Sequence, residues 1–336
     1  MISGIPVYPP DWLSISSHLI SSHLRIVNMY LYGLLRLGAF LSAWVVGALS
    51  IPLSILVAVL YQFYYPAYII LAYYAYRAIF PGGRWHACKG KDGWFWLNEY
   101  PYCNKQEIIF VDGAKPPDPK TKTMLTVAPH GILTLGFVFA ASSAEFDACD
   151  IKWLVTDMLL KLPFIRDFMW WVDCFEVNKK TMTRMLQQGE NVALIPGGYQ
   201  EATVYSRNKH RMFIKERKGF IKYALRYGYS IQPTYVFGEE RTYWQVEVGS
   251  IKWKFWLNRY NIPTIFFIGK YGFLPDNDIE VHIVVGKPFN LPKIENPTAK
   301  DIDKWHEVYV ENMVELFEKN KGKYAFNGKD AELELF

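Results

Sequence analysis

Several groups of side chains in this 336-residue chain have types and spacings that suit catalysis. The first is His130, in the apolar run TMLTVAPHGILTLGFVFAASSA over 123–144, where Pro129-His130-Gly131 separates a strand-like piece from a helix-like one. A strand-to-helix turn stands at a sheet edge, and the free N–H groups of the next helical turn can stabilise developing negative charge. A second group is Gly197-Gly198-Tyr199-Gln200-Glu201. Its glycines permit a tight turn or close backbone approach, and Glu201 is a carboxylate suited to orienting His130 or holding its imidazolium. The third is the basic run 207–222, in which Arg207, Lys209, Arg211, Lys215, Arg217, Lys218 and Lys222 are opposed only by Glu216. It suits a solvated helix face or a phosphate-binding patch. Glu239, after Phe237-Gly238, is another strand-end carboxylate and equally a helix-start residue. Taken singly, an imidazole among apolar residues is more often structural and a Gly-Gly turn more often a surface turn; their weight lies in combination. His282, inside an alternating apolar run, reads as structural.

The elements that must position these groups alternate. Strands are expected over 107–112, 123–128, 152–155, 173–177, 191–195, 231–237 and 279–285. Helices are expected over 132–142, 157–170, 180–188 (introduced by Asn178), 219–227 and 298–319, the last opening on the Thr298-x-x-Asp301 capping pattern. Such alternation predicts an α/β fold, with helices covering a largely parallel sheet. The segment 244–274 is rich in Trp, Phe and Ile with interspersed cations, which suits either a face lying on a bilayer or an amphipathic core helix.

Composition adds a location. Aromatic residues make up 17% of the chain and apolar residues 51%, and 37–76 holds no Asp, Glu, Lys or Arg. At about 20 apolar residues per crossing, that run predicts two transmembrane passes. Arg25 and Arg36 precede it and Arg77, Arg84, Lys89 and Lys91 follow, so the positive-inside rule puts both flanks in the cytosol and makes the passes a hairpin. The expected organisation is an N-terminal segment 1–36, a hairpin 37–80, and a cytosol-facing domain 81–336. Residues 1–30 lack the basic n-region and cleavage site of a secretory signal. Cys88, Cys103, Cys149 and Cys174 form no C-x-x-C pair, which argues against a disulfide framework or cysteine zinc site. A net charge of +5 permits anionic lipid or a phosphorylated substrate, and no groove-reading motif supports nucleic acid. H-E-x-x-H, G-x-S-x-G, Walker and G-x-G-x-x-G patterns are absent from the sequence.

In order along the chain, Ala128-Pro129-His130-Gly131, Pro163-Phe164-Ile165-Arg166, Gly197-Gly198-Tyr199-Gln200-Glu201, Arg217-Lys218-Gly219-Phe220, Phe237-Gly238-Glu239 and Val285-Gly286-Lys287-Pro288 resemble the HPHG, PFIR-like, GGxxE, RKGF, FGE and VGKP elements of the acyl-CoA:diacylglycerol acyltransferase type 2 family. That family includes monoacylglycerol and wax-alcohol acyltransferases, and the resemblance covers roughly 94–324. Ala128 stands where the family has its first His, and Tyr100-Pro101 after Glu99 is all that matches its YFP element. The resemblance implies an acyl-CoA-dependent O-acyltransferase making triacylglycerol from diacylglycerol, with monoacylglycerol or a fatty alcohol as alternative acceptors. It implies His130 as general base, Glu201 as its partner, Gly131, Gly197 and Gly198 at the oxyanion turns, and Arg207, Arg211, Arg217 and Lys218 on the CoA phosphates, with Pro129 and Glu239 in support. Acyl-CoA is then a co-substrate, with no metal or resident cofactor expected. The expected location is the endoplasmic reticulum membrane, and lipid droplets as well. The H-x-x-x-x-D signature of glycerol-phosphate acyltransferases is excluded, since Leu135 stands at the Asp position. A non-catalytic lipid-binding scaffold is the alternative from another class.

Overall fold

The computed structural model describes residues 12–80, 102–246, 248–260 and 264–336, with side chains from residue 28 onward. The Pro81-Gly82-Gly83 break, Arg84, Trp85, Cys88, Lys89, Lys91, Trp94, Trp96, Glu99 and Tyr100-Pro101 lie outside the described residues, as do positions 1–11.

The chain enters on α1 (Trp12–Tyr61) and turns at 62–64 into α2 (Tyr65–Ile79). No proline interrupts 12–51, and one helix runs straight through residue 36. Leu37, Phe40 and Leu41, at the start of the apolar run, are buried in the protein core. Among the described residues one helical stretch, Asn28–Tyr61, is long and apolar enough to cross a membrane. α2, with 15 residues, spans about 22 Å and falls short of a bilayer core of about 30 Å. The apolar run thus forms one long helix and one shorter one.

The remaining elements are β1 (Lys105–Phe110), β2 (Thr123–Ala128), α3 (Leu135–Ala141), α4 (Ala144–Asp147), β3 (Lys152–Val155), α5 (Ile165–Trp171), β4 (Cys174–Glu176) and α6 (Lys179–Gln187). Then come β5 (Val192–Leu194), α7 (Gly198–Val204), β6 (His210–Met212), α8 (Gly219–Tyr227), β7 (Ser230–Phe237), β8 (Trp244–Val246), α9 (Ile251–Asn258) and β9 (Phe266–Ile268). β10 (Glu280–Val285), β11 (Phe289–Asn290), α10 (Ala299–Tyr324) and β12 (Leu333–Leu335) close the chain. The main sheet has the order β1-β10-β7-β2-β5-β3-β4, with β11 also on β7. From β7 to β4 every pairing is parallel, while β10 runs antiparallel to β7. The expected α/β fold with a largely parallel sheet is what forms.

The strands alternate into two cores. Leu125, Val127, Trp153, Ala193 and Val236 face α3, α5 and the buried part of α1; Met124, Ala128, Leu154, Val192 and Tyr235 face α6, α8 and α10. Asn178 and Thr298 cap α6 and α10 as the sequence predicts, Thr298 with Asp301 in a full capping box. The helix expected over 157–170 starts only at Ile165, because Pro163 cannot extend a preceding helix. Its carbonyl lies under Gly47 of α1, where a Cβ would approach to 2.4 Å, so α1 packs on this loop only through glycine. His282 is structural, its ring nitrogens 2.9 Å from Glu107 and 3.1 Å from Glu280.

Asn191 fixes the entry of the two strands that carry the site. Its Oδ1 accepts the Thr123 N–H at 3.0 Å, and its Nδ2 donates to the carbonyls of Asp118 (2.7 Å) and Cys149 (3.1 Å). Asn191→Ala leaves these buried groups unpaired and should cost about 2–3 kcal/mol, read as a lower chemical-denaturation midpoint in detergent.

Candidate active site

β7, β2 and β5 are adjacent and parallel, so their carboxyl ends share one edge. Each leads into a turn with a candidate residue: β2 into Pro129-His130-Gly131, β5 into Gly197-Gly198 and Glu201 of α7, β7 into Gly238-Glu239. The structure thus gathers residues from three distant sequence positions, as the strand pattern predicts for a sheet of this kind.

Their bonding differs from expectation. Glu201 is buried and spends its carboxylate on backbone: Oε2 accepts the His130 N–H at 2.8 Å and Oε1 the Phe213 N–H at 3.0 Å. No hydrogen bond joins it to the imidazole. Burial pushes its pKa up to about 8 despite those two amides and the nearby Arg217, so it is a poor source of negative charge at neutral pH. In this structure Glu201 thus holds the backbone of the turn where a contact with the imidazole was expected. Glu239, likewise buried and raised to about 8, accepts the amides of Leu135 (3.1 Å) and Gly136 (2.7 Å). Those are first-turn amides of α3, so the oxyanion role expected of them is already taken.

The glycines have a matching explanation. A Cβ on Gly131, which has φ +61°, would lie 2.2 Å from Glu239 Oε1; one on Gly197 would lie 2.5 Å from Glu201 Cδ. They make room for the two carboxylates. Gly198, at φ +57°, begins α7 and has only the Arg217 guanidinium within van der Waals reach of a Cβ.

The half-buried His130 ring is oriented by a carbonyl. Nδ1 lies 3.0 Å from Gly131 O, and a carbonyl can only accept, so Nδ1 carries the proton and Nε2 the lone pair. Burial lowers its pKa to about 4 against the smaller opposing effect of that hydrogen bond, leaving a neutral imidazole at physiological pH.

Of the expected phosphate-binding cations, Arg217 stays beside the turn, bonded to Gln200 and stacked on Phe213 with 5.5 Å from guanidinium carbon to ring centre. The others are engaged elsewhere. Arg207 pairs with Asp276 at 2.8 Å and covers Trp244, Arg211 pairs with Glu334 of β12 at 2.8 Å, and Lys218 pairs with Asp303 of α10 at 2.6 Å. Sequence reasoning missed Glu240, whose Oε2 accepts the Gly238 N–H at 2.9 Å and lies 3.6 Å from His210 Nδ1, both side chains buried behind the turn. The alternation His210-Arg211-Met212, in-out-in, is the local sign that this part of the basic run is a strand. Among the described residues no group of His, Cys, Asp and Glu side chains is placed to hold a metal ion.

The imidazole thus stands at the carboxyl edge of the parallel sheet of an α/β fold, its turn braced by two buried acidic side chains. A profile for diacylglycerol acyltransferases matches residues 61–335, and the chain belongs to that family. It is 32% identical over 228 residues to "Diacylglycerol O-acyltransferase 1" of Eremothecium gossypii, covering 61% of this chain and 48% of that protein. It is 33% identical over 227 residues to "Diacylglycerol O-acyltransferase 2" of Dictyostelium discoideum, covering 62% and 68%. With "2-acylglycerol O-acyltransferase 1" of Mus musculus it shares 28% over 292 residues, covering 79% and 83%. The chain thus spans about half the length of the first of these relatives. The crystal structure of PlsC, an LPA acyltransferase from Thermotoga maritima, aligns with 83% of this chain and 98% of its own at TM-score 0.43 and 11% identity, too slight a likeness to weigh.

Two outcomes follow from this geometry. Glu239→Ala removes the acceptor of two buried amides, and should cost about 2–3 kcal/mol in denaturation together with loss of activity. The pKa of His130 lies below the unfolded value of about 6.5, so the stability its neutral form contributes is present above pH 6.5 and lost as pH falls through about 4. The acid limb of the rate profile should accordingly sit near pH 4, with no step near pH 6.5.

Proposed function

We propose that this protein transfers a fatty acyl group from acyl-CoA to the free hydroxyl of diacylglycerol, forming triacylglycerol. The observation that carries the chemistry is the orientation of His130: Nδ1–H held by the Gly131 carbonyl, Nε2 unprotonated and the ring neutral at pH 7. Nε2 takes the acceptor's hydroxyl proton as the oxygen attacks the thioester carbonyl. The tetrahedral intermediate collapses with cleavage of the C–S bond, and the imidazolium returns its proton to the CoA thiolate. Glu201 and Glu239 hold the turn that aims the ring; Arg217 is the cation best situated for the CoA phosphates, and Lys218 at the surface can exchange Asp303 for phosphate. Acyl-CoA enters as co-substrate.

The catalytic sheet faces the cytosol from the endoplasmic reticulum membrane, with lipid droplets as a second site. α1 and α2 dock on the same segment, the loop before α5 and its first turn: Gly47 packs on the Pro163 carbonyl, Tyr73 Oη donates to Asp167 at 2.7 Å, and Tyr74 Oη donates to the Lys161 carbonyl at 2.6 Å. A hairpin whose two arms root at one place enters and leaves by the same face, which supports a re-entrant insertion.

The test is an acceptor panel with full-length protein in proteoliposomes: labelled acyl-CoA with diacylglycerol, monoacylglycerol or fatty alcohol, and products identified by mass. Triacylglycerol from wild type, and a loss of about 10³-fold or more in His130→Ala, are expected. Near-normal turnover in His130→Ala would remove the imidazole from the mechanism. Wax ester or diacylglycerol as the main product would reassign the acceptor.

A further inference from the structure

α9 is folded inside out. Its buried residues are polar, Lys254 (5% exposed) and Asn258, one turn apart, while Ile251, Trp253 and Trp256 (52% exposed) face outward. Asn258 is anchored inward, donating to Thr203 Oγ1 at 2.7 Å and accepting from Thr264 Oγ1 at 3.1 Å. The neighbouring β8–β9 ribbon repeats the inversion. Its register pairs Trp244 with Ile268 and Val246 with Phe266, and all four side chains are exposed on one face. The opposite face turns Phe267 onto Tyr243, with ring centres 4.9 Å apart. Water ordinarily selects the reverse pattern, so these two outward faces are built to meet something apolar.

The charge around them identifies it. From 244 to 275 the sequence holds one acidic residue, Glu247, against four cations; of these Lys252 and Arg259 stand exposed on α9, and Lys270, bonded to Asn277, lies between the ribbon and the following turn. Aromatic rings at mid-exposure beside an excess of cations match the interfacial zone of a membrane, where rings sit at headgroup depth and cations meet lipid phosphates. We propose that α9 and the β8–β9 ribbon form a second membrane-docking surface, separate from α1 and α2, seated on an anionic phospholipid layer. The surface adjoins the site. Phe255 of α9 packs on Phe213, ring centres 5.4 Å apart, and Phe213 donates its amide to Glu201; Ile132, two residues after His130, shares a small core with Tyr205, Tyr243 and Phe267. Docking here brings the His130 turn to the lipid layer.

The experiment places an environment-sensitive fluorophore at Trp256→Cys or Phe266→Cys in full-length protein, with Lys300→Cys on α10 as the solvent control and Cys88 replaced by Ser; Cys103, Cys149 and Cys174 are buried. The protein is reconstituted in phosphatidylcholine vesicles with or without phosphatidylserine, doped with nitroxide-labelled lipid. Both patch probes should show a blue-shifted emission that nitroxide lipid quenches, more strongly with phosphatidylserine, while the Lys300 probe emits as in water. Patch probes indistinguishable from the control would overturn the proposal. So would shielded probes that lipid nitroxides fail to quench but that cross-link between chains, since a second copy would then be the occupant. Equal quenching in both vesicle types would overturn the assignment to anionic headgroups.

Discussion

Two buried carboxylates bind main-chain amides across the ends of three strands, and the site hangs from that brace. Glu201 reaches from α7 to the amide of His130 after β2, and Glu239 reaches from the end of β7 to the first turn of α3. A buried carboxylate is tolerable only when its lone pairs meet donors, and amides of irregular backbone are tolerable only when they meet acceptors. Each satisfies the other. The brace ties β5, β2 and β7 together at their carboxyl ends and holds the 129–136 segment in a shape its own hydrogen bonds do not specify. Gly131 and Gly197 are part of the same device, because only a missing Cβ lets the carboxylates come so close.

The alternation of apolar runs was enough to read the largely parallel sheet and the placement of His130 and Glu201 at one of its edges. Thr123–Ala128 and Gly219–Tyr227 form with the expected bounds, since each is a short apolar unit with clear punctuation. The atoms that carboxylates bond are not legible in this way. A Gly-Gly-x-x-Glu spacing says that a carboxylate comes near a turn; whether it takes a ring nitrogen or a main-chain N–H depends on ångström-scale placement of a strand from elsewhere in the chain. The sequence reading chose the ring for Glu201, and the backbone won because an unpaired buried amide is the greater liability there.

The basic run shows a second limit. Counted as charge, 207–222 is a cluster; folded, it is divided among a strand, a turn and the start of α8, so neighbouring cations leave in different directions. Arg211 ends beside Glu334 and Lys218 beside Asp303, partners more than 80 positions away that no local count can anticipate. The membrane segment shows the opposite case: its apolar composition was plain, but its first buried turn was not, because Leu37, Phe40 and Leu41 look the same to lipid and to a protein core.

Position 128 gives the departure from the family's HPHG element a physical setting. Ala128 is 1% exposed, is paired in register with Tyr235, and belongs to the core that includes Phe237 and Phe317. Those rings pack closely: Tyr235 stands 4.7 Å from Phe237 and 5.1 Å from Phe317, centre to centre. A methyl group fits that layer, whereas an imidazole added to this chain would have to displace a ring or bury its nitrogens without partners. His130 lies two residues on, beyond the strand, where Glu201 holds its amide and Gly131 its Nδ1–H. Ala128 thus serves the close packing of the second core, and the imidazole at position 130 stands outside it.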